Sequence, residues 1–241
     1  MVKSYHWIQY DAGAIVCPMT PFTLLSVAAL FVLPACSTPA TAPPTTPAAV
    51  APDEPAPAPR ASTPADALAV VAFWRDAGPG LWFAKDPAFD QRFRERFLSL
   101  HESVVRGERR DWASTADGAL ALVILLDQYP RNSFRGTPRM YATDVMAREV
   151  TAVAIAAGHD RRVDPALQVF FYLPYAHSED LFDQDRAVAL VKRLGEPHLS
   201  HAVHHRDIIR RFGRFPHRNP ILGRTMTAEE QRYLDDGGYR G

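Results

Sequence analysis

The stretch LALVILL, from Leu120 to Leu126, decides the fold class of this 241-residue chain. It is the only run that resembles a buried strand, and the sequence offers no second strand-like run to pair with it. Alanine and leucine, which favour helices, dominate the stretch. We therefore predict that it forms a fully buried helix and that the fold is all-α.

Helix signals continue on both sides of this run. Phe89, Phe93 and Phe97 recur every four residues, the spacing of one helix face. Capping residues and helix-ending glycines bound the other segments: Thr63 to about Gly78, Thr137 to Ala157, Ser178 to Gly195, Pro197 to Phe212, and a capping box at Thr227. The short loops between them predict a single domain of about eight helices packed antiparallel.

Composition divides the chain into three parts. Residues 1–36 hold a short apolar run that ends at Cys36, which predicts a signal segment with this cysteine as the lipidation candidate. Residues 37–62 form a disordered Pro/Ala/Thr-rich tether, and residues 63–241 form the helical domain. We expect an exported periplasmic lipoprotein with a lipid anchor at a membrane surface; the alternative is a cytoplasmic protein whose gene start is misassigned.

The two cysteines, Cys17 and Cys36, both precede the domain. The domain therefore has no disulfide, no thiolate nucleophile and no cysteine metal ligand. His201 and His205 fall within the apolar face of the segment from Pro197 to Phe212, one turn apart. This spacing alone is a weak metal signal, so we predict no metal and no cofactor.

The charge of the chain is balanced, with 27 basic and 27 acidic residues. This balance argues against general nucleic-acid binding. Four arginines are nevertheless concentrated in RFGRFPHRNPILGR, the segment from Arg211 to Arg224, which Pro216 and Pro220 stiffen. Rigidly held arginines suit carboxylate or phosphate recognition. The alternative is a structural clamp that locks the last helices together.

Two acidic spots are candidates to face these arginines. Asp127 lies near the C-terminal end of the buried helix, where the helix dipole disfavours an anion, so we expect a compensating cation such as Arg131. His177 and Glu179 flank the predicted cap at Ser178. The candidate ligand-binding residues are Asp127, Arg131, His177, Glu179, His205, Arg214, His217 and Arg218.

These residues leave two classes of function open. The first is a helical module that binds a protein partner or a small anionic ligand through a polar cleft. The second is a hydrolase or transferase in which His205 or His217 is the general base, while Arg214 and Arg218 stabilise negative charge. No residue pattern identifies a nucleophile, and no glycine-rich phosphate loop is present.

Four motifs resemble those of a bacterial family known as domain of unknown function 924. They are FWRDAGPGLWFAKDPAFDQRFRERF from Phe73, LLDQYPRNSFRG from Leu125, YLPYAHSED from Tyr172 and HRDIIRRFGRFPHRNPILGR from His205. The resemblance covers nearly the whole domain. It implies an all-helical, tetratricopeptide-like fold, and it supplies no established activity, cofactor or catalytic residue.

Overall fold

A computed structural model describes residues 62–241 of the chain. The predicted signal segment, the lipidation candidate Cys36 and the tether up to residue 61 lie outside the described residues. Within residues 62–241 every regular element is helical, which confirms the predicted all-α fold class. No helix in this part of the chain combines the length and the apolar character needed to cross a membrane.

The α-helices are short to medium in length and are separated by tight turns. In chain order they are α1 (Ala65–Ala77), α2 (Pro79–Trp82), α3 (Pro87–Val105), α4 (Ala116–Val123), α5 (Tyr129–Ser133), α6 (Asp144–Ala156), α7 (Leu173–Ala176), α8 (Leu181–Val191), α9 (His198–Phe212) and α10 (Ala228–Asp235). Their tetratricopeptide-like arrangement stays a prediction.

Helix α4 lies at the centre of the core, against α1 and α6. Every residue from Ala119 to Leu126 is fully buried, which confirms the buried helix predicted from LALVILL. Aromatic rings from α1 and α3 surround it, among them Trp74 and Phe93, whose ring centres lie 5.3 Å apart. Gly118 is required here because a Cβ atom would lie 2.2 Å from the carbonyl oxygen of Trp112.

Between α4 and α5 the chain makes one wide π-helical turn, Ile124–Gln128. The cause is Pro130, which has no N–H to donate to the carbonyl of Leu126 four residues earlier. The hydroxyl of Thr143 donates to that carbonyl instead, at 2.5 Å. The neighbouring carbonyl of Leu125 is bonded to a ring nitrogen of His101, at 2.9 Å. Side chains thus replace the backbone bonds that the wide turn loses.

Three predicted helix starts differ from the structure. Residues Pro138–Tyr141 form a 3-10 turn, and α6 begins only at Asp144. The residue that caps α8 is Asp180, not Ser178. The hydroxyl of Thr63 donates to Thr115 instead of capping α1. At α1 a tertiary contact takes the hydroxyl that was predicted to cap the helix, and at α8 a nearby aspartate takes the place of the predicted serine.

The last part of the chain forms a smaller apolar cluster around Ile208, Ile209 and Phe215. Helix α9 ends as predicted at Gly213, whose φ of 69° is the left-handed conformation that glycine adopts easily. The predicted capping box of α10 is also confirmed, because Thr227 and Glu230 exchange both of its hydrogen bonds. The arginine-rich loop between these two helices lies against the corner that follows α7.

Candidate functional site

A cleft of about 180 Å³ opens where six regions of the chain meet. They are the end of α2, the π-turn with α5, the 3-10 turn before α6, the corner after α7, helix α9 with the loop that follows it, and the last residues of the chain. Its lining is Trp82, Phe83, Gln128, Arg131, Asn132, Arg135, Met140, Tyr141, His177, His205, Phe215, His217, Arg218, Tyr239 and Gly241. Five of the eight residues predicted from the sequence therefore line one cleft, and Asp127 contacts two of them.

Asp127 anchors the polar side of the cleft from the π-turn. Its carboxylate is fully buried and forms an ion pair with Arg131 at 3.0 Å. Gln128 donates to its second oxygen at 2.6 Å. Burial alone would raise the pKa of Asp127, but Arg131 and His177 outweigh this effect and lower it. The carboxylate is therefore ionised at neutral pH. Arg131 is the cation that compensates its charge, as the sequence led us to expect.

Arg131 is also held from its other side. Both of its terminal nitrogens donate to Asp144 at the start of α6, at 2.8 and 3.0 Å. Burial acts to lower the pKa of Arg131, but Asp127 and Asp144 together raise it above its usual value. The two carboxylates thus hold Arg131 in one fixed orientation and take up its charge.

His177 bridges this ion-pair network and the open cleft. Its Nδ1 atom lies 2.8 Å from the carboxylate of Asp127. Burial and the charge of Arg131 lower the pKa of His177, and Asp127 acts in the opposite direction. Since the carboxylate accepts the proton on Nδ1, the neutral ring keeps its lone pair on Nε2.

Arg218 is the cation that the network leaves least satisfied. It is only 7% exposed, yet within residues 62–241 its guanidinium makes a single hydrogen bond, from Nη2 to the carbonyl of His177, at 2.9 Å. The nearest carboxylate oxygen, on Asp144, is 4.0 Å away. The rings of Tyr141 and Phe215 hold the guanidinium at 4.7 and 4.4 Å. Burial and the charge of Arg131 lower the pKa of Arg218.

His205 and His217 form the apolar side of the cleft with Tyr239. The ring centre of Tyr239 lies 4.7 Å from His205 and 5.1 Å from His217. Burial is the largest cause that lowers the pKa of each histidine to about 3, followed by His177 for the first and Arg218 for the second. Both rings are therefore neutral at pH 7, and Nδ1 of His217 is buried without a partner within residues 62–241.

Besides Asp127, which lies behind the cleft lining, two predicted residues do not line the cleft. Arg214 points to α10, where it pairs with Glu230 at 2.6 and 2.8 Å. Glu179 accepts from the backbone N–H of Phe215 and from Arg224, both at 3.0 Å. These contacts fasten the loop in place. The wheel position of His201 was also misleading, because that side chain is exposed.

Sequence reasoning missed Asp144, Tyr141 and Tyr239. Tyr141 ends and Asp144 follows a 3-10 turn in a segment predicted to be regular helix, and Tyr239 reaches the cleft from the end of the chain. A usable signal was present in LLDQYPRN: Pro130 leaves the carbonyl of Leu126 without its helical donor, so a side chain from another segment is needed.

Two larger cavities are less suited to a ligand. One, of about 390 Å³ between α6 and α8, has Asp160 and Arg193 in its lining, and these two already pair at 2.8 Å. The other, of about 460 Å³ along α3, includes Arg106 and Glu108, which pair at 2.6 Å. Among the described residues no three His, Cys, Asp or Glu side chains lie close enough together to hold a metal ion.

Comparisons with known proteins agree with the motif resemblance. Residues 70–238 match a family described as bacterial protein of unknown function (DUF924). The chain is similar to the solved structure of the protein of unknown function ATU0120 from Agrobacterium tumefaciens, with 53% identity, a TM-score of 0.71, and coverage of 72% of this chain and 98% of that chain. No curated protein matches it. The chain therefore belongs to the DUF924 family of bacterial proteins.

Proposed function

We propose that the protein binds a small anionic ligand in the cleft, with Arg218 as the main cationic contact. The observation that carries the proposal is the buried guanidinium of Arg218, whose Nε atom has no hydrogen-bond partner within residues 62–241. A guanidinium offers five N–H groups, and leaving a buried charge without partners is costly. A carboxylate or phosphate group would supply the missing acceptors.

The surrounding charges favour this site over the other arginines. Asp144 and Asp127 already accept from Arg131, so neither is free to serve Arg218 fully. The aromatic rings on either side of Arg218 fix its position, which reduces the entropy lost when a ligand binds. Cleft size, a fixed cation and neutral histidine walls together suit a small anion.

Thermal unfolding of the full chain tests the proposal, with inorganic phosphate, sulfate and acetate as probes and potassium chloride at equal ionic strength as the reference. A ligand at one hundred times its Kd adds about 2.7 kcal/mol to the folded state. For a domain of this size we expect Tm to rise by roughly 5 to 10 °C with at least one probe.

Arg218→Gln should abolish this rise, whereas Arg211→Gln, which changes an exposed arginine at the end of α9, should retain it. A rise that persists in Arg218→Gln contradicts the proposed contact. No rise with any probe contradicts anion binding and favours the other predicted ligand class, a protein partner on the helical surface.

A further inference from the structure

We propose that the cleft is also a catalytic site, in which His177 is the general base for hydrolysis of a small ester that carries its own negative charge. The inference rests on the anion binding proposed above, because the bound charge places the ester beside the base. The proposal is based on an accessible imidazole that is oriented by a buried carboxylate and lies next to an incompletely paired arginine.

The orientation of His177 is fixed from behind. Asp127 is fully buried and lies 2.8 Å from Nδ1, while Gln128 holds the second carboxylate oxygen at 2.6 Å. A carboxylate that accepts the Nδ1 proton selects the tautomer with a lone pair on Nε2, and it stabilises the imidazolium that forms when this atom takes up a proton. Asp127 is thus a positioning residue and His177 the base.

The Nε2 atom of His177 is available for this role. It has no hydrogen-bond partner within residues 62–241, and it is not among the polar atoms sealed from solvent, as Nδ1 of His217 is. The side chain is 14% exposed and lines the cleft. A base must reach the proton that it removes, and His177 combines access with a lone pair that is oriented by a carboxylate.

The backbone that presents Asp127 to His177 is unusual. The carboxylate, which pairs with Arg131 at 3.0 Å, projects from the π-turn, a rare interruption of a helix that is frequent at functional sites. The wide turn positions the carboxylate, and the carboxylate leaves the lone pair of His177 on Nε2.

The chemical step follows from the groups present. No serine, threonine or cysteine is among the residues that line the cleft, so water is the nucleophile. The water oxygen bonds to the electrophilic atom of the ester while its proton passes to Nε2 of His177. The bond from that atom to the leaving oxygen then breaks, and the leaving oxygen takes the proton from Nε2. One ester and one water give one acid and one alcohol, and Arg218 stabilises the negative charge.

Cleft size limits the substrate. A volume of about 180 Å³ equals that of roughly six water molecules, so the anionic group and the scissile bond fit inside. The leaving group then lies at the mouth, where Phe83 lines the opening and is 60% exposed. Small phosphate monoesters and small esters with a carboxylate share this chemistry.

The test uses the full chain with 4-nitrophenyl phosphate and mono-4-nitrophenyl succinate, and 4-nitrophenyl acetate as the uncharged comparison. Release of 4-nitrophenolate is the readout. We expect one charged ester to be hydrolysed faster than the uncharged one. His177→Ala should reduce that rate about a hundredfold or more, and added imidazole should restore part of it. Phosphate should still raise the Tm of this variant, and Arg211→Gln should leave the rate unchanged.

Asp127→Asn is the second variant, in case His177→Ala does not fold. Its amide keeps the shape of the carboxylate but no longer selects the reactive tautomer, so a similar loss of rate is expected. If neither charged ester is hydrolysed while phosphate raises Tm, or if the rate survives in a folded His177 or Asp127 variant, the inference is overturned and anion binding stands. If no anion raises Tm, both proposals fail.

Discussion

The loop from Arg211 to Arg224 contains two kinds of arginine that the sequence does not distinguish. The outer arginines, Arg214 and Arg224, have carboxylate partners at 2.6 and 2.8 Å. The inner arginine, Arg218, faces the cleft together with its neighbour His217. Each side chain of this inner pair carries a buried nitrogen that has no partner within residues 62–241. Arg214 and Arg218 are only four positions apart, yet the loop changes from well paired to incompletely paired over this distance.

The difference shows that pairing, and not residue type, separates a structural arginine from a ligand-binding candidate. Arg214 fastens the loop to α10 and also donates to the carbonyl of Thr225 at 2.8 Å, so its donors are largely occupied. Arg218 is more deeply buried but makes fewer bonds. Since buried polar groups are nearly always bonded, the inner pair is the part of the loop on which the proposed anion contact rests.

Removing an outer arginine should lower the stability of the folded protein the most. Arg214→Ala leaves Glu230, which is only 2% exposed, without its bidentate partner. The hydrogen bond from Arg214 is the main reason that the pKa of Glu230 falls to about 2. We expect a lower free energy of unfolding in urea denaturation, and a larger drop than in the variants that follow.

The matched control is Arg211→Ala. Arg211 pairs with Glu229 at 3.0 Å, but both side chains are more than half exposed. Such a surface pair contributes less than about 1 kcal/mol. If the two variants lose equal stability, the contrast between a buried clamp and a surface pair is wrong.

Measuring the free energy of unfolding against pH tests the inner pair through His217. The pKa of His217 in the folded state is about 3, below the ordinary value of 6.5, so the unfolded chain takes up its proton first as pH falls. The stabilising contribution is therefore complete above about pH 6.5 and is lost progressively towards pH 3. Between pH 7.5 and 5.0 we expect His217 to account for a loss of about 1–2 kcal/mol.

Comparison of wild type with His217→Gln isolates this contribution, because the variant has no group to protonate at that position. The loss of stability between the two pH values should be smaller in the variant. His201→Gln, which changes an exposed histidine of α9, is the control. An equal pH dependence in wild type and His217→Gln would show that this ring is not held neutral by burial.

Removing the inner arginine should have the smallest effect on stability. Arg218→Met keeps the packing between Tyr141 and Phe215 but removes a buried charge with one hydrogen bond. Replacing a poorly paired buried charge by an apolar side chain is often neutral or stabilising, so we expect a change within about 1 kcal/mol of wild type. Urea denaturation checks this value, and a loss as large as that of Arg214→Ala would remove the distinction between the two arginines.

Local signals predicted much of the fold. The phenylalanine spacing placed α3, Gly213 ended α9, and Thr227 opened α10 through its capping box. Each of these signals acts within one or two helical turns, so the sequence carries it completely. The start of α6 was wrong for a related reason: Pro138 does open a helical turn, but the turn is a 3-10 turn that ends before α6 begins.

The sequence predicted part of the candidate site. Asp127 was expected to need a cation, and Arg131, four residues later on the same side of the helix, meets that need. His201 and His205 were not separable by helix position, but one is exposed and the other lines the cleft. The choice depends on which neighbouring element covers each turn of α9, and helical periodicity does not contain that information.

The sequence by itself determined the helical class, the buried helix at LALVILL and the concentration of arginines in one stiff loop. These properties depend on residue propensity and spacing, which act locally. Tertiary structure decided the partners: His177 meets Asp127 from 50 residues away, and Arg214 meets Glu230 from 16. Such pairs depend on helix packing, because an unpaired charge becomes costly only once packing has excluded water from it. The packing of distant segments therefore decides which partner each charge has.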